Sequence, residues 1–197
     1  IPKFSSYLLD KYLILAHKNY IEPVIIITKY DLLDNVAKLE VKEYIKYYKK
    51  IGYSVYVNTE LTKIKKEFNK HTVALIGQTG AGKTTLLNKI DKSLKLETNE
   101  VSVKLGRGKH TTRLVQLYEL YGGFVVDTPG FSSLELYNIS KEDIRNTFIE
   151  FPLGCKYKTC MHDKEEHCAV KDKLKYSNNY VYKNRYKNYI KLLSEVE

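Results

Sequence analysis

Gly77-Gln-Thr-Gly-Ala-Gly-Lys83-Thr84 has the residue types and spacing to hold a chain of phosphates. It fits Gly-x4-Gly-Lys-[Ser/Thr], a pattern in which a glycine-rich turn lets successive backbone N–H groups converge on phosphate oxygens. Gly77, Gln78, Thr79, Gly80, Ala81 and Gly82 supply that cradle. Lys83 is placed to reach the β- and γ-phosphates, and Thr84 to set its hydroxyl on Mg²⁺. Upstream, Thr72-Val-Ala-Leu-Ile76 is short and apolar and reads as a buried strand. Downstream, Thr85 to Ile90 has helical spacing, so the turn opens onto a helix N-terminus whose dipole favours anions. These residues describe a nucleotide phosphate site.

A second set of chemically capable residues lies near the carboxyl end. Cys155-x4-Cys160-x-His162-x5-Cys168 contains all three cysteines of the chain. Three thiolates and one imidazole fill a closed tetrahedral Zn²⁺ site, leaving no open position for catalysis. His162 and the neighbouring His167 both offer the imidazole. Free thiols, or one disulfide with a cysteine left over, are the other arrangements. A small loop-rich segment buries too little surface to fold alone, so metal ligation would supply stability there.

Two aspartates end apolar runs. Val24-Ile-Ile-Ile27 reads as a strand buried on both faces and leads into Thr28-Lys29-Tyr30-Asp31. Ligands of open α/β sheets bind at the carboxyl ends of strands. This stretch resembles the Asn-Lys-x-Asp base-recognition motif of GTPases, with Thr28 in place of Asn. The resemblance implies that Asp31 accepts hydrogen bonds from the guanine N1–H and amine while Lys29 packs along the base. Adenine lacks that donor pair and would leave the carboxylate unpaired. A plain helix cap is the other role open to Asp31. The second aspartate begins Asp127-Thr-Pro-Gly130. An Asp at a strand end downstream of a phosphate loop suits the Mg²⁺ shell, and the Gly130 N–H can meet the γ-phosphate.

Several elements must position these groups. Phe4 to Asn19 has a helical apolar stripe that Ser5 or Ser6 can cap. Val36 to Lys50 forms a helix with a basic outer face, Tyr53 to Val57 a strand, and Leu61 to Phe68 a short helix. Gly106-Arg-Gly-Lys-His-Thr-Thr-Arg113 is a basic, hydroxyl-rich loop. Leu114–Leu120 and Phe124–Val126 read as paired strands around a Gly122-Gly123 turn. A terminal helix from about 178 to 195 carries Tyr182, Tyr186, Tyr189, Ile190 and Leu193 on one face. Lys183, Arg185, Lys187 and Lys191 form a candidate RNA-contacting face, with Tyr186 and Tyr189 assigned to the core.

The chain has 197 residues, enough for one full domain and a small appendage, and a formal net charge of +10 that suits a large anionic partner. No run approaches the ~18 apolar residues of a membrane span, and no signal peptide is visible.

Motif order is the most informative feature. Ras-like GTPases run phosphate loop, Asp-x-x-Gly, base motif; here the base motif comes first, the phosphate loop second and Asp-Thr-Pro-Gly third. The sequence resembles the circularly permuted GTPase family of ribosome small-subunit-dependent GTPase A (RsgA/YjeQ-like) over essentially its whole length, including Gly106-Arg-Gly-Lys-His-Thr-Thr and Asp-Thr-Pro-Gly-Phe131. The fold implied is α/β: a circularly permuted P-loop GTPase domain at 1–137, a mostly parallel sheet with helices on both faces, then a small helical zinc-binding domain at 138–197. An OB-fold domain is expected upstream, with Ile1 falling where its linker ends. The resemblance implies GTP hydrolysis to GDP, with Mg²⁺, in late maturation of the small ribosomal subunit, and turnover stimulated by that subunit. It assigns the water-orienting role to His110, because Phe131 stands where Ras-like enzymes carry Gln. It places Thr111 or Thr112 over Mg²⁺, Asn58-Thr59 beside the guanine O6, and His162 among the zinc ligands. The partners implied are the small subunit and its rRNA, with no membrane. A cytoplasmic monomer is expected, with an organelle as the other compartment.

Overall fold

The computed structural model describes residues 3–94, 116–127 and 136–196. They fall into two compact units that interleave along the chain. The first contains residues 24–38 and the described part of 55–133; the second contains 4–23, 39–54 and 136–196. The expected division at 137/138 follows the chain, whereas compactness groups the first helix and most of the second with the carboxyl-terminal helices.

In the first unit, β1 (Val24–Ile27) and β2 (Ser54–Val57) form one sheet. β3 (Thr72–Leu75), β5 (Gly123–Asp127) and β4 (Gln116–Leu120) form another in the order β3-β5-β4. β3 runs parallel to β5 with Thr72 opposite Phe124 and Leu75 opposite Asp127. That register brings the end of β5 beside the strand that feeds the phosphate loop. β4 and β5 are an antiparallel hairpin. Its turn is Tyr121-Gly122, both at positive φ (51° and 71°), one residue earlier than the spacing of the glycines predicts. Such a pair matches the twist of the flanking strands. Gly123 instead opens β5, where a Cβ would lie 2.0 Å from the His71 carbonyl oxygen, so only glycine fits.

Helices α3 (Leu61–Phe68) and α4 (Lys83–Ile90) cover one sheet face. Ile64, Phe68, Leu86, Leu87 and Ile90 pack with Leu75, Leu120 and Val125. The two strands expected to be fully buried are not. In β1 only Ile25 is buried, and in β3 Leu75 is buried while Thr72 and Ala74 are exposed. The β3 pattern is the alternation of a sheet packed on one side.

In the second unit, α1 (Ser6–Lys18), the carboxyl-terminal part of α2 (Asn35–Lys50), α5 (Lys141–Thr147), α6 (Ala169–Tyr176) and α7 (Tyr180–Leu193) pack together. Ser5 caps α1 by accepting the Leu8 N–H. Ile14, Ile144, Phe148, Tyr189 and Leu192 form the apolar centre. Tyr182 and Tyr189 are buried, as helical spacing implies. Arg185 corrects the reading of an exposed basic face: it is fully buried. Its guanidinium grips Glu150 with two hydrogen bonds (2.5 and 3.2 Å) and pairs with Asp10, while its Nη1 donates to Tyr48 at 2.8 Å. The phase of α7 turns residue 185 inward, leaving Lys183, Lys187 and Lys191 as the exposed stripe. No helix among the described residues is long and apolar enough to cross a membrane.

Candidate functional site

The phosphate loop leaves β3 through Ile76 and turns at Gly80 and Gly82, whose φ values of 74° and 93° favour glycine. Gly82 is the N-cap residue of α4 and gives it no side-chain cap hydrogen bond. Lys83 folds back over the loop, donating from Nζ to the carbonyls of Gly77 (2.9 Å) and Gln78 (3.4 Å). Thr84 follows it, half-buried, in the first turn.

Two residues of the base motif grip this loop. The Thr28 hydroxyl donates to the Ala81 carbonyl at 2.5 Å, and Lys29 Nζ donates to the Gly80 carbonyl at 2.7 Å. Lys29 does so from the left-handed region, φ 56°, which a non-glycine residue occupies at a cost. Asp31 lies in the 3-10 turn that follows and accepts from Asn58 Nδ2 at 2.9 Å. That hydrogen bond, ahead of a backbone one, holds its carboxyl below the usual carboxylate range. Asp31 is exposed and ionised, ready to accept from a ligand.

These groups share a pocket of about 230 Å³ lined by Thr28, Lys29, Asp31, Asn58, Gly82 and Thr85, with Leu32, Leu86 and Lys89 completing it. Thr59 is exposed and outside the lining. Asp127 ends β5 opposite Leu75. His110, Thr111, Thr112 and Gly130 lie outside the described residues.

In the second unit Cys155, Cys160, His162 and Cys168 bring one ligand atom each to within 4.8 Å of one another. His162 Nδ1 lies 3.5 Å from Cys155 Sγ and 3.4 Å from Cys168 Sγ, and those two sulfurs are 4.0 Å apart. Bonds of about 2.3 Å to sulfur and about 2.0 Å to nitrogen put tetrahedral ligands about 3.5–3.8 Å apart, so the set fits Zn²⁺. No disulfide joins the cysteines. Burial pushes the Cys160 thiol up to about 12. The loop is braced around the ligands: Glu165 accepts the Met161 and Asp163 N–H groups, while Tyr186 and Tyr189 donate to the carbonyls of His162 and Met161. His167 is exposed and outside the cluster.

A permuted nucleotide pocket followed by a Cys₃His cluster agrees with three comparisons. The family model of the RsgA GTPase matches residues 1–137. The small ribosomal subunit biogenesis GTPase RsgA of Bacillus velezensis is 45% identical over 205 residues, covering 100% of this chain and 69% of the relative. The protein of the same name from Streptococcus mutans is 46% identical over 200 residues, covering 100% and 67%. This chain belongs to the RsgA GTPase family. The crystal structure of YjeQ from Thermotoga maritima superposes with a TM-score of 0.81 at 33% identity, covering 100% of this chain and 67% of that one. The RsgA match thus extends past the family model, through the cysteine cluster to the terminal helix.

An RsgA GTPase implies a guanine nucleotide, and the pocket adds residues that spacing alone misses. Lys89 stands four residues after Thr85, on the same face of α4, which is the signal that could have found it. Leu32, next to Asp31, supplies apolar lining. The link between Asn58 and Asp31 spans 27 residues and arises only when β1 pairs with β2.

Proposed function

We propose that this chain is a GTP hydrolase acting on the small ribosomal subunit in its late assembly, with turnover stimulated by that subunit. The observation that carries the reading is the pocket at the phosphate loop. Asp31 presents an ionised carboxylate there, and Thr28 and Lys29 hold the Ala81 and Gly80 carbonyls. A carboxylate paired with the N1–H and amine of guanine selects it over adenine by leaving no comparable partner for the latter.

The other site roles follow. The amides of Gly77 to Gly82 and the start of α4 cradle phosphate, Lys83 offsets its charge, and Thr85 lines the base side. Thr84 and Asp127 would hold Mg²⁺, which when bound neutralises the charge on the phosphates. Asn58 borders the base with Thr59 next to it in the chain, Gly130 meets the γ-phosphate, and Thr111 or Thr112 closes over the site. His110 orients the attacking water, a task Phe131 cannot perform. Cys155, Cys160, His162 and Cys168 would hold a structural Zn²⁺, in a zinc-binding part at 138–197 after a GTPase part at 1–137. The exposed stripe Lys183–Lys187–Lys191 is the surface offered to rRNA, and the protein acts as a cytoplasmic monomer.

Hydrolysis of GTP and ATP, with and without purified small subunits, tests this. Strong stimulation confined to GTP is expected, and His110→Ala should remove it while leaving nucleotide affinity intact. Equal use of ATP would overturn the base assignment; stimulation surviving in His110→Ala would overturn that of the histidine.

A further inference from the structure

His162 sits in a backbone conformation that a histidine does not choose. Its φ is 58°, in the left-handed region, which costs energy unless the surroundings hold the residue there. The backbone on both sides of it is held. One oxygen of the Glu165 carboxylate accepts the Met161 N–H at 2.7 Å and the other accepts the Asp163 N–H at 3.0 Å. The carbonyls are tied as well. Tyr189 donates to that of Met161 at 2.5 Å, Tyr186 to that of His162 at 2.7 Å, and Lys171 to that of Asp163 at 3.1 Å. Held in this way, His162 brings Nδ1 to 3.5 Å from Cys155 Sγ and 3.4 Å from Cys168 Sγ.

These contacts differ in kind. Lys171 belongs to α6 and the two tyrosines to α7, whereas Glu165 lies in the loop itself, three residues beyond His162. Donors on helices fix where the loop lies against those helices. A carboxylate within the loop fixes its internal shape, the turn that gives His162 its φ. An acidic side chain so near a ligand is itself a candidate for the metal, but the oxygens of Glu165 are not among the ligand atoms that converge. Both already accept backbone amides, in charge-assisted hydrogen bonds of the strong kind. Glu165 therefore offers the centre geometry and not a bond.

We infer that Glu165 is the positioning residue of the metal centre: by clasping the amides of Met161 and Asp163 it sets the left-handed turn that aims His162 at the sulfurs, and so sets how long a metal stays bound. The inference rests on the reading that Cys155, Cys160, His162 and Cys168 hold Zn²⁺. An imidazole whose backbone is already in place rebinds before the other ligands let go; one that must first re-form a strained turn does not.

The test is the rate at which a chromogenic chelator takes zinc from the loaded full chain, read beside the thermal midpoint at saturating zinc and the visible spectrum of the Co²⁺-substituted protein. Glu165→Ala should release zinc about 10- to 100-fold faster than the wild type, the usual cost of losing a partner behind the ligands. Its Co²⁺ spectrum should remain that of a tetrahedral thiolate site, since all four ligands are still present. Glu165→Gln keeps one accepting oxygen and should release at an intermediate rate. Ile144→Val lies in the apolar centre, outside the cluster of Cys160, Cys168 and Val170, and should lower the midpoint without changing the release rate. Equal acceleration in Ile144→Val would reduce Glu165 to a share of general stability and overturn the inference. A Co²⁺ spectrum in Glu165→Ala that reports a changed coordination would make Glu165 a ligand and overturn it too. Zinc held by the wild type and released no faster from Glu165→Ala sinks the inference alone, whereas a wild-type chain that takes up neither zinc nor Co²⁺ sinks the metal reading and the inference with it.

Discussion

Thr28 stands where the related base motifs carry Asn, and the structure gives it a task a hydroxyl can perform. It donates to the Ala81 carbonyl at 2.5 Å, next to the Lys29 contact with Gly80. Both contacts end on carbonyls of the phosphate loop, so they orient the amides of that loop rather than the base. Thr28→Val keeps the shape and removes the donor, losing a hydrogen bond of about 1 kcal/mol, or roughly fivefold in affinity. Because the loop serves any nucleotide, GDP and ADP should weaken alike. Titration of both ligands checks this, and a loss confined to GDP would mean that Thr28 acts on the base instead.

Elements differ in how far local chemistry determines them. α3 begins and ends where helical spacing predicts, at Leu61 and Phe68, and the Ser5 cap of α1 is of the expected type. α6 escapes such a reading because its N-cap residue is Cys168, a metal-type ligand with no capping hydrogen bond. The cradle and the cysteine set were legible for the same reason: each is a short run whose spacing is its geometry. The burial of Arg185 was not, since its partner Asp10 lies 175 residues away in sequence and nothing local distinguishes it from the exposed lysines around it. α5 shows local chemistry coupled to charge. Ser140 accepts the Asp143 N–H, and the Asp143 carboxylate accepts from the Ser140 N–H and hydroxyl and from Lys18 Nζ at 2.7 Å. The Lys18 bond first, then those of Ser140, hold the carboxyl at about 2. A depressed carboxyl stabilises the fold above its unfolded pKa of about 3.9 and loses that contribution as pH falls through the folded value. Asp143→Asn should therefore be less stable than the wild type at pH 7, with the gap closing between about pH 4 and about pH 2. Urea unfolding at stepped pH measures this; a gap independent of pH would assign the loss to capping geometry instead of charge.

Across the whole molecule, the two compact units draw on different sources of stability. The first has an apolar cluster between α3, α4 and the sheet. The second has an apolar centre and, beside it, a smaller cluster of Cys160, Cys168 and Val170, with Phe151 and Tyr186 packed against both. Between Phe151 and Cys168 the chain has no regular element and is held by hydrogen bonds to its carbonyls and by Glu165. A bound metal would close that segment by joining its two ends, and the shared contacts of Phe151 and Tyr186 would pass the constraint to the helical centre. Zinc sites in small peptides contribute roughly 10–16 kcal/mol of apparent folding energy. Here an apolar centre already orders the helices, so only part of that should appear as stability. Purified protein should contain one zinc per chain, and chelation should lower its thermal midpoint by on the order of 10 °C. Cys155→Ser should lose the metal and reproduce the drop, after which the chelator has no further effect. His167→Ala should keep both metal and midpoint, since His167 lies outside the ligand cluster. Hydrogen exchange should quicken on chelation in residues 151–176, where the ligands and α6 lie. Protein that is free of zinc yet melts at the same temperature before and after chelation would remove the metal from the account of this unit, leaving the packing of Phe151, Val170 and Tyr186 to hold it.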